Sequence, residues 1–116
     1  MSWDIRTHYA TATTTSGFVF TSCTPAHVVR KILTMKFTLL SGDTNATVHV
    51  DKVEHGTVST IIDKLPVLSG ESPEIGYFDP RRPVVTIHGS GNLQVYTHLS
   101  GMYVGVAVTY VDDTIY

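Results

Sequence analysis

The strongest constraint in this chain is the run Met102-Tyr103-Val104-Gly105-Val106-Ala107-Val108-Thr109-Tyr110. A period of two places Met102, Val104, Val106 and Val108 on one face of an extended strand, whereas a helix would scatter them around its axis. The same period recurs in Ala46-Thr47-Val48-His49-Val50-Asp51, with Ala46, Val48 and Val50 on one side and Thr47, His49 and Asp51 on the other. One face of each strand packs and the other is wet, which describes a sheet covered on one side by a second sheet. Residues 30–40 repeat the pattern with Leu33, Met35, Phe37 and Leu39 as the buried set, and residues 93–99 repeat it with Leu93, Val95, Thr97 and Leu99. Thr and Val dominate the composition, and their branched side chains suit a pleated surface better than a helix.

Turn residues separate these runs. Ser41-Gly42-Asp43-Thr44-Asn45 predicts a hairpin between residues 30–40 and 46–51, and His88-Gly89-Ser90-Gly91-Asn92 predicts a second between 84–87 and the strand from Leu93. Pro66, Pro73, Pro80 and Pro83 make residues 65–83 a loop with edge pieces. Residues 57–64 read equally as one helical turn or a strand. The expected fold is a single antiparallel β-sandwich over residues 17–116. Residues 1–16 read as an extended N-terminal arm, because Ala10-Thr11-Ala12-Thr13-Thr14-Thr15-Ser16 has almost nothing to bury. The arm carries Trp3, Ile5 and Tyr9, apolar groups that a free tail has no reason to hold, so these are the expected subunit contacts. On this reading, residues 2–12 are dispensable for folding.

The 116 residues fit one domain. Eight Lys/Arg against ten Asp/Glu, a formal charge of −2, give no electrostatic footprint for nucleic acid or an anionic membrane, and no apolar run approaches the ~20 residues of a helical span. The single Cys23 makes no internal disulfide, and Met1-Ser2-Trp3-Asp4-Ile5-Arg6 lacks the pattern of a secretion signal, so synthesis in a reducing cytoplasm is expected.

Six histidines raise the question of a metal. His49, His55, His88 and His98 lack ligand-like spacing, although a hairpin at Gly89–Asn92 would set His88 and His98 cross-strand; no metal and no cofactor is expected. Asp112-Asp113, and Glu71 with Glu74, read as solvated charge and not as an acid–base pair. Cys23 has no local base, Asn45-Ala46-Thr47 reads as turn then strand, Gly89-Ser90-Gly91 is too short to cradle phosphate, and Arg81-Arg82 are exposed loop cations. The chain is therefore expected not to be an enzyme. Tyr77, Phe78, Tyr96 and Tyr103 would suit a sugar-stacking platform if they shared a face.

Cys23-Thr24-Pro25-Ala26-His27 leads into residues 28–40, then Ser41-Gly42-Asp43, then residues 46–53. Further on come Ile61-Ile62-Asp63-Lys64-Leu65-Pro66-Val67-Leu68-Ser69-Gly70-Glu71-Ser72 and a valine-rich final run at 104–111. In this order of features the chain resembles the small jelly-roll-like β-sandwich proteins in the virions of tailed bacteriophages, over about residues 21 to 113. It departs from them at Asp79-Pro80-Arg81-Arg82-Pro83, where the family often has Pro-Gly-Asp. The resemblance implies a non-enzymatic structural protein of the virion, made in the host cytoplasm. Its place would be as a capsid decoration (cement) protein that contacts the major capsid protein and copies of itself, a trimer by analogy. A tail, collar, fibre or baseplate component, or a carbohydrate-binding module for host attachment, is the alternative.

The alternation makes one prediction directly. Val106→Asp sets an unpaired charge in the interior, costs several kcal/mol and yields insoluble protein; a soluble variant with unchanged melting temperature would reverse the assignment of faces.

Overall fold

The computed structural model describes residues 4–13, 18–20, 28–41, 46–88, 91–98 and 103–114. Within them are nine strands and no helix: β1 (Arg6–Ala12), β2 (Phe18–Phe20), β3 (Val28–Ser41), β4 (Ala46–Glu54), β5 (Thr57–Val67), β6 (Glu74–Gly76), β7 (Val85–His88), β8 (Asn92–Thr97) and β9 (Tyr103–Thr114). They form two antiparallel sheets. The first runs β1-β9-β3, with β7 and β6 end to end along the far edge of β3; the second runs β2-β8-β4-β5. Strands β1 to β4 pass alternately from one sheet to the other, as do β7 to β9, which is jelly-roll connectivity.

The alternating runs face inward as expected, apart from Leu99 and Met102, which lie outside the described residues. Ile32, Met35, Phe37, Val104, Val106 and Val108 of the first sheet meet Ala46, Val48, Val50, Leu93 and Val95 of the second in one buried core. In the β3–β9 ladder Met35 lies opposite Val108, Phe37 opposite Val106, and Leu39 opposite Val104. The register slips between Ile32 and Thr34, so Leu33 is an extra residue and both Ile32 and Leu33 are buried.

The two expected hairpins do not form. Residues 30–40 and 46–51 lie in different sheets, as do β7 and β8, so both connections cross the sandwich. The adjacent hairpin is β4–β5, where Glu54 pairs with Thr57 across the two-residue turn His55-Gly56. Both turn residues have positive φ, 53° and 76°, the type I′ signature that matches strand twist. Residues 57–64 are thereby strand. Of the expected loop at residues 65–83, Leu65, Pro66 and Val67 complete the edge strand β5, and the remainder keeps its loop character around the edge piece β6.

The N-terminal arm also needs correction over Arg6–Ala12. This segment is β1, antiparallel to β9 from Arg6 opposite Tyr110 to Ala12 opposite Val104. Ala12 is fully buried and Ala10 packs against the core. Two alanines bury too little surface to announce a strand by composition, but beside the valines of β9 their small size is what fits.

Polar ties close the ends of the sandwich. Arg30 and Asp112 are register partners on β3 and β9, and the guanidinium donates two hydrogen bonds to the carboxylate at 2.7 and 2.8 Å. It also lies 4.7 Å from the centre of the Tyr110 ring. The hydrogen bond to Asp112 outweighs the burial of Arg30 and raises its pKa, so it stays charged. Asp112 is thus a structural ion-pair partner, and Asp113 pairs with Lys31 at 3.3 Å. At the tip of β4, burial works to raise the pKa of Glu54. Hydrogen bonds from Lys52 and from the backbone N–H of His88 reverse that and leave it lowered. The His88 bond joins the two sheets.

Two predictions follow from this architecture. Deleting residues 2–12 uncovers the β9 edge and removes Ala12 from the core, so the truncated chain loses its cooperative thermal transition; a wild-type melting temperature would show β1 to be dispensable. Asp112→Asn leaves Arg30 charged and nearly buried, costing about 2 kcal/mol because Asp112 is partly solvated; denaturant titration measures the change, and an unshifted midpoint would show that the pair adds nothing.

Candidate functional site

A sandwich, unlike a closed barrel, leaves strand edges whose N–H and C=O groups have no ladder partner. Among the described residues β5 of the second sheet pairs only with β4. Its first four residues, Thr57-Val58-Ser59-Thr60, keep regular register with β4 and hold no charge and no proline, and Val58 is 60% exposed. From Ile61 on it is blunted by two register slips, by Asp63 and Lys64, and by Pro66. One stretch of edge is therefore protected in the usual ways and the other is not.

In the first sheet β1 is the edge beside β9. Tyr9 and Thr11 face outward with Ala107 and Gly105, their register partners, followed by Lys36 and Thr38 on β3. Tyr9, Lys36, Thr38, Leu40, Gly105 and Ala107 line a shallow groove on this outer face. A Cβ at Gly105 would stand 3.3 Å from the Leu40 side chain, which would have to give by a few tenths of an ångström. Tyr9 is 75% exposed, and Leu40, Ile5 and Tyr103 are also exposed. Of the expected contacts, Ile5 and Tyr9 lie open to solvent, and Trp3 falls outside the described residues.

The four aromatics of the sugar-platform reading do not converge. Tyr103 lies on the first sheet and Tyr96 on the second, where its hydroxyl donates to Gln94, while Tyr77 and Phe78 stand exposed on the loop after β6. In that loop Arg81 bonds Asp79 through its backbone N–H and its guanidinium, which holds the Asp79 carboxyl below its ordinary pKa. Arg82 lies 5.7 Å from the Tyr77 ring centre. The loop cations thus have partners within their own loop. Cys23 lies outside the described residues.

A polar cluster that spacing did not reveal occupies the outer face of the second sheet. His49 on β4 lies opposite Tyr96 on β8. One residue past β8, the His98 backbone N–H donates to the Thr47 carbonyl and its Nδ1 lies 2.9 Å from Thr47 Oγ1. On the other side β5 bulges opposite His49, between the pairs Val48–Leu65 and Val50–Ile62. The bulge sets Asp63 Oδ1 at 3.3 Å from His49 Nδ1, while Asp51 Oδ1 lies 2.6 Å from His49 Nε2. Thr60 donates to Asp51 at 3.0 Å. The His49 and His98 rings meet edge to face, 5.8 Å between centres. His88, the expected cross-strand partner of His98, sits instead on β7 in the other sheet, beside Glu54.

No family model and no curated protein matches the chain. Among solved structures it is similar in fold to a protein described under "Bacillus endospore appendages form a novel family of disulfide-linked pili". The TM-score is 0.55 with 11% identity, over 99% of this chain and 88% of that one. At that identity the likeness speaks for the fold alone.

Proposed function

We propose that this chain is a non-enzymatic structural subunit that packs against copies of itself in a larger particle. The observation that carries the reading is the uncharged, exposed edge Thr57–Thr60, which pairs with β4 in regular register on one side and offers backbone donors and acceptors to a neighbouring strand on the other, without the charge, bulge or proline that keeps solitary sandwiches apart. The open face around Tyr9, Ile5, Leu40 and Tyr103 supplies apolar area for a second contact, with Ile5 and Tyr9 as its anchors.

The sequence resemblance makes the particle a tailed-phage virion, with the protein on the head beside the major capsid protein, as a trimer. A second reading, a repeating fibre, draws on the fold likeness to a protein of disulfide-linked pili. The two differ in closure: a trimer is a closed ring, and a head-to-tail contact that does not close yields a filament.

Sedimentation and negative-stain imaging of the purified chain test both readings. The wild type is expected to associate, and its form, ring or filament, decides between them. Val58→Lys places a charge on the edge and weakens association at least tenfold, about 1.4 kcal/mol, with the melting temperature unchanged. A wild type that stays monomeric at its highest soluble concentration, alone and with particles lacking it, would overturn the proposal.

A further inference from the structure

We propose that His49, Asp63 and His98 form a zinc site on the outer face of the second sheet. One ligand atom from each lies within 4.8 Å of the other two. The His49 Nδ1 to Asp63 Oδ1 separation of 3.3 Å is already the spacing between adjacent ligands of a tetrahedral ion with bonds of about 2.0–2.1 Å. Two imidazoles and one carboxylate are a borderline donor set that suits zinc, whereas calcium and magnesium take oxygen ligands. The Asp63 side chain is 63% exposed, so the fourth position opens to water.

Three further features distinguish the cluster from polar residues that happen to share a face. The first is the bulge. Lys64, a non-glycine residue, adopts a left-handed conformation with φ of 61°, beside the residue that the bulge presents to His49. Bulges re-aim side chains, and backbone in that region is costly enough to collect at functional positions.

The second is the support behind each histidine. Asp51 accepts from His49 Nε2 and is itself held by Thr60, which leaves the Nδ1 lone pair of a neutral ring facing Asp63. His98 Nδ1 lies 3.3 Å from the Thr47 carbonyl, which can only accept, as well as 2.9 Å from Thr47 Oγ1; a ring protonated at Nδ1 keeps the Nε2 lone pair for a metal. A carboxylate or backbone oxygen on the second ring nitrogen is the usual device that fixes the tautomer of a metal-binding histidine.

The third is charge. Asp51 and Asp63 flank the His49 ring, and neither makes an ion pair with a lysine or arginine among the described residues. With the proton of a neutral ring directed at Asp51, Nδ1 and the Asp63 carboxylate face each other as two lone-pair donors, the arrangement a metal ion bridges. His98, brought close by the β8–β4 ladder, supplies the third ligand. A bound ion would cross-link β4, the edge strand β5 and the chain leaving β8, independently of self-association.

The test uses the full chain, stripped with EDTA and titrated with zinc chloride by calorimetry, alongside thermal melting and cobalt(II) substitution. The expected results are one zinc per chain, a melting temperature raised by zinc and returned by EDTA, no response to calcium or magnesium, and the visible absorption of four-coordinate cobalt. His98→Ala and Asp63→Asn, both at exposed positions, each weaken zinc binding at least tenfold and remove the cobalt bands while keeping the β-rich circular dichroism spectrum. Asp51→Asn weakens binding roughly tenfold or more through His49 alone. His55→Ala binds as the wild type does. Absence of stoichiometric binding to the wild type would overturn the site. Equal affinity in His98→Ala would also overturn it and assign the metal to other histidines.

Discussion

The antiparallel ladder between β3 and β9 is the interaction on which the rest of the structure depends. It runs from Val28 opposite Thr114 to Ser41 opposite Tyr103, the longest pairing in the molecule. Every other strand of the first sheet is attached to one of these two: β1 hydrogen-bonds to β9, and β6 and β7 divide the free side of β3 between them. The inward side chains of the ladder, from Met35 and Phe37 to Val104, Val106 and Val108, form one wall of the core. Because the pairing joins residues 28–41 to 103–114, it closes all of the chain between them into one loop, and the Arg30–Asp112 pair secures one end of it. The second sheet has its own ladders, but its inner face is buried only where this wall stands.

The two sheets treat their edges differently. On the far side of β3 the first sheet ends in short pieces, β6 and β7, which offer little backbone to another chain. Strand β5 is long. From Ile61 to Val67 it is shaped by slips, Asp63, Lys64 and Pro66, while Thr57–Thr60 is plain strand without charge. A single strand thus carries two devices. The bulged part turns Asp63 toward the histidines of β4 and β8, and the regular part leaves a hydrogen-bonding edge open. The proposed metal and the proposed neighbour draw on distinct segments and do not compete for the same groups.

Much of the histidine cluster was legible one residue at a time. Alternation places His49 and Asp51 on the wet face of β4 and His98 on the wet face beyond β8, where the structure has them. What no spacing contained is that β8 lies beside β4 and not beside β7. With β7 as neighbour, His98 pairs with His88; with β4, it meets His49. Asp63 was hidden for another reason. Its orientation comes from a bulge, and a bulge is an exception to the period on which the reading relies. The N-terminal segment failed through size: Ala10 and Ala12 are core residues because β9 presents valines beside them, a fact about the neighbour and not about the segment.

In the strongly alternating segments the sequence by itself determined the local state of the backbone and which side chains are buried. Val104, Val106 and Val108, Met35 and Phe37, and Val48 and Val50 face the core because a period of two admits one way to hide apolar groups on a pleated strand. Only the tertiary structure decided which strands are neighbours. Strands of a sandwich all carry much the same alternating pattern, and the pattern states which face is dry without saying which edge is joined. A turn such as residues 41–45 serves equally to fold a strand back on itself or to carry it across to the other sheet. The choice is made by burial summed over the whole core, where crossing the sandwich lets β3 pair with β9 and β4 with β8, and that sum is a property of all the strands together.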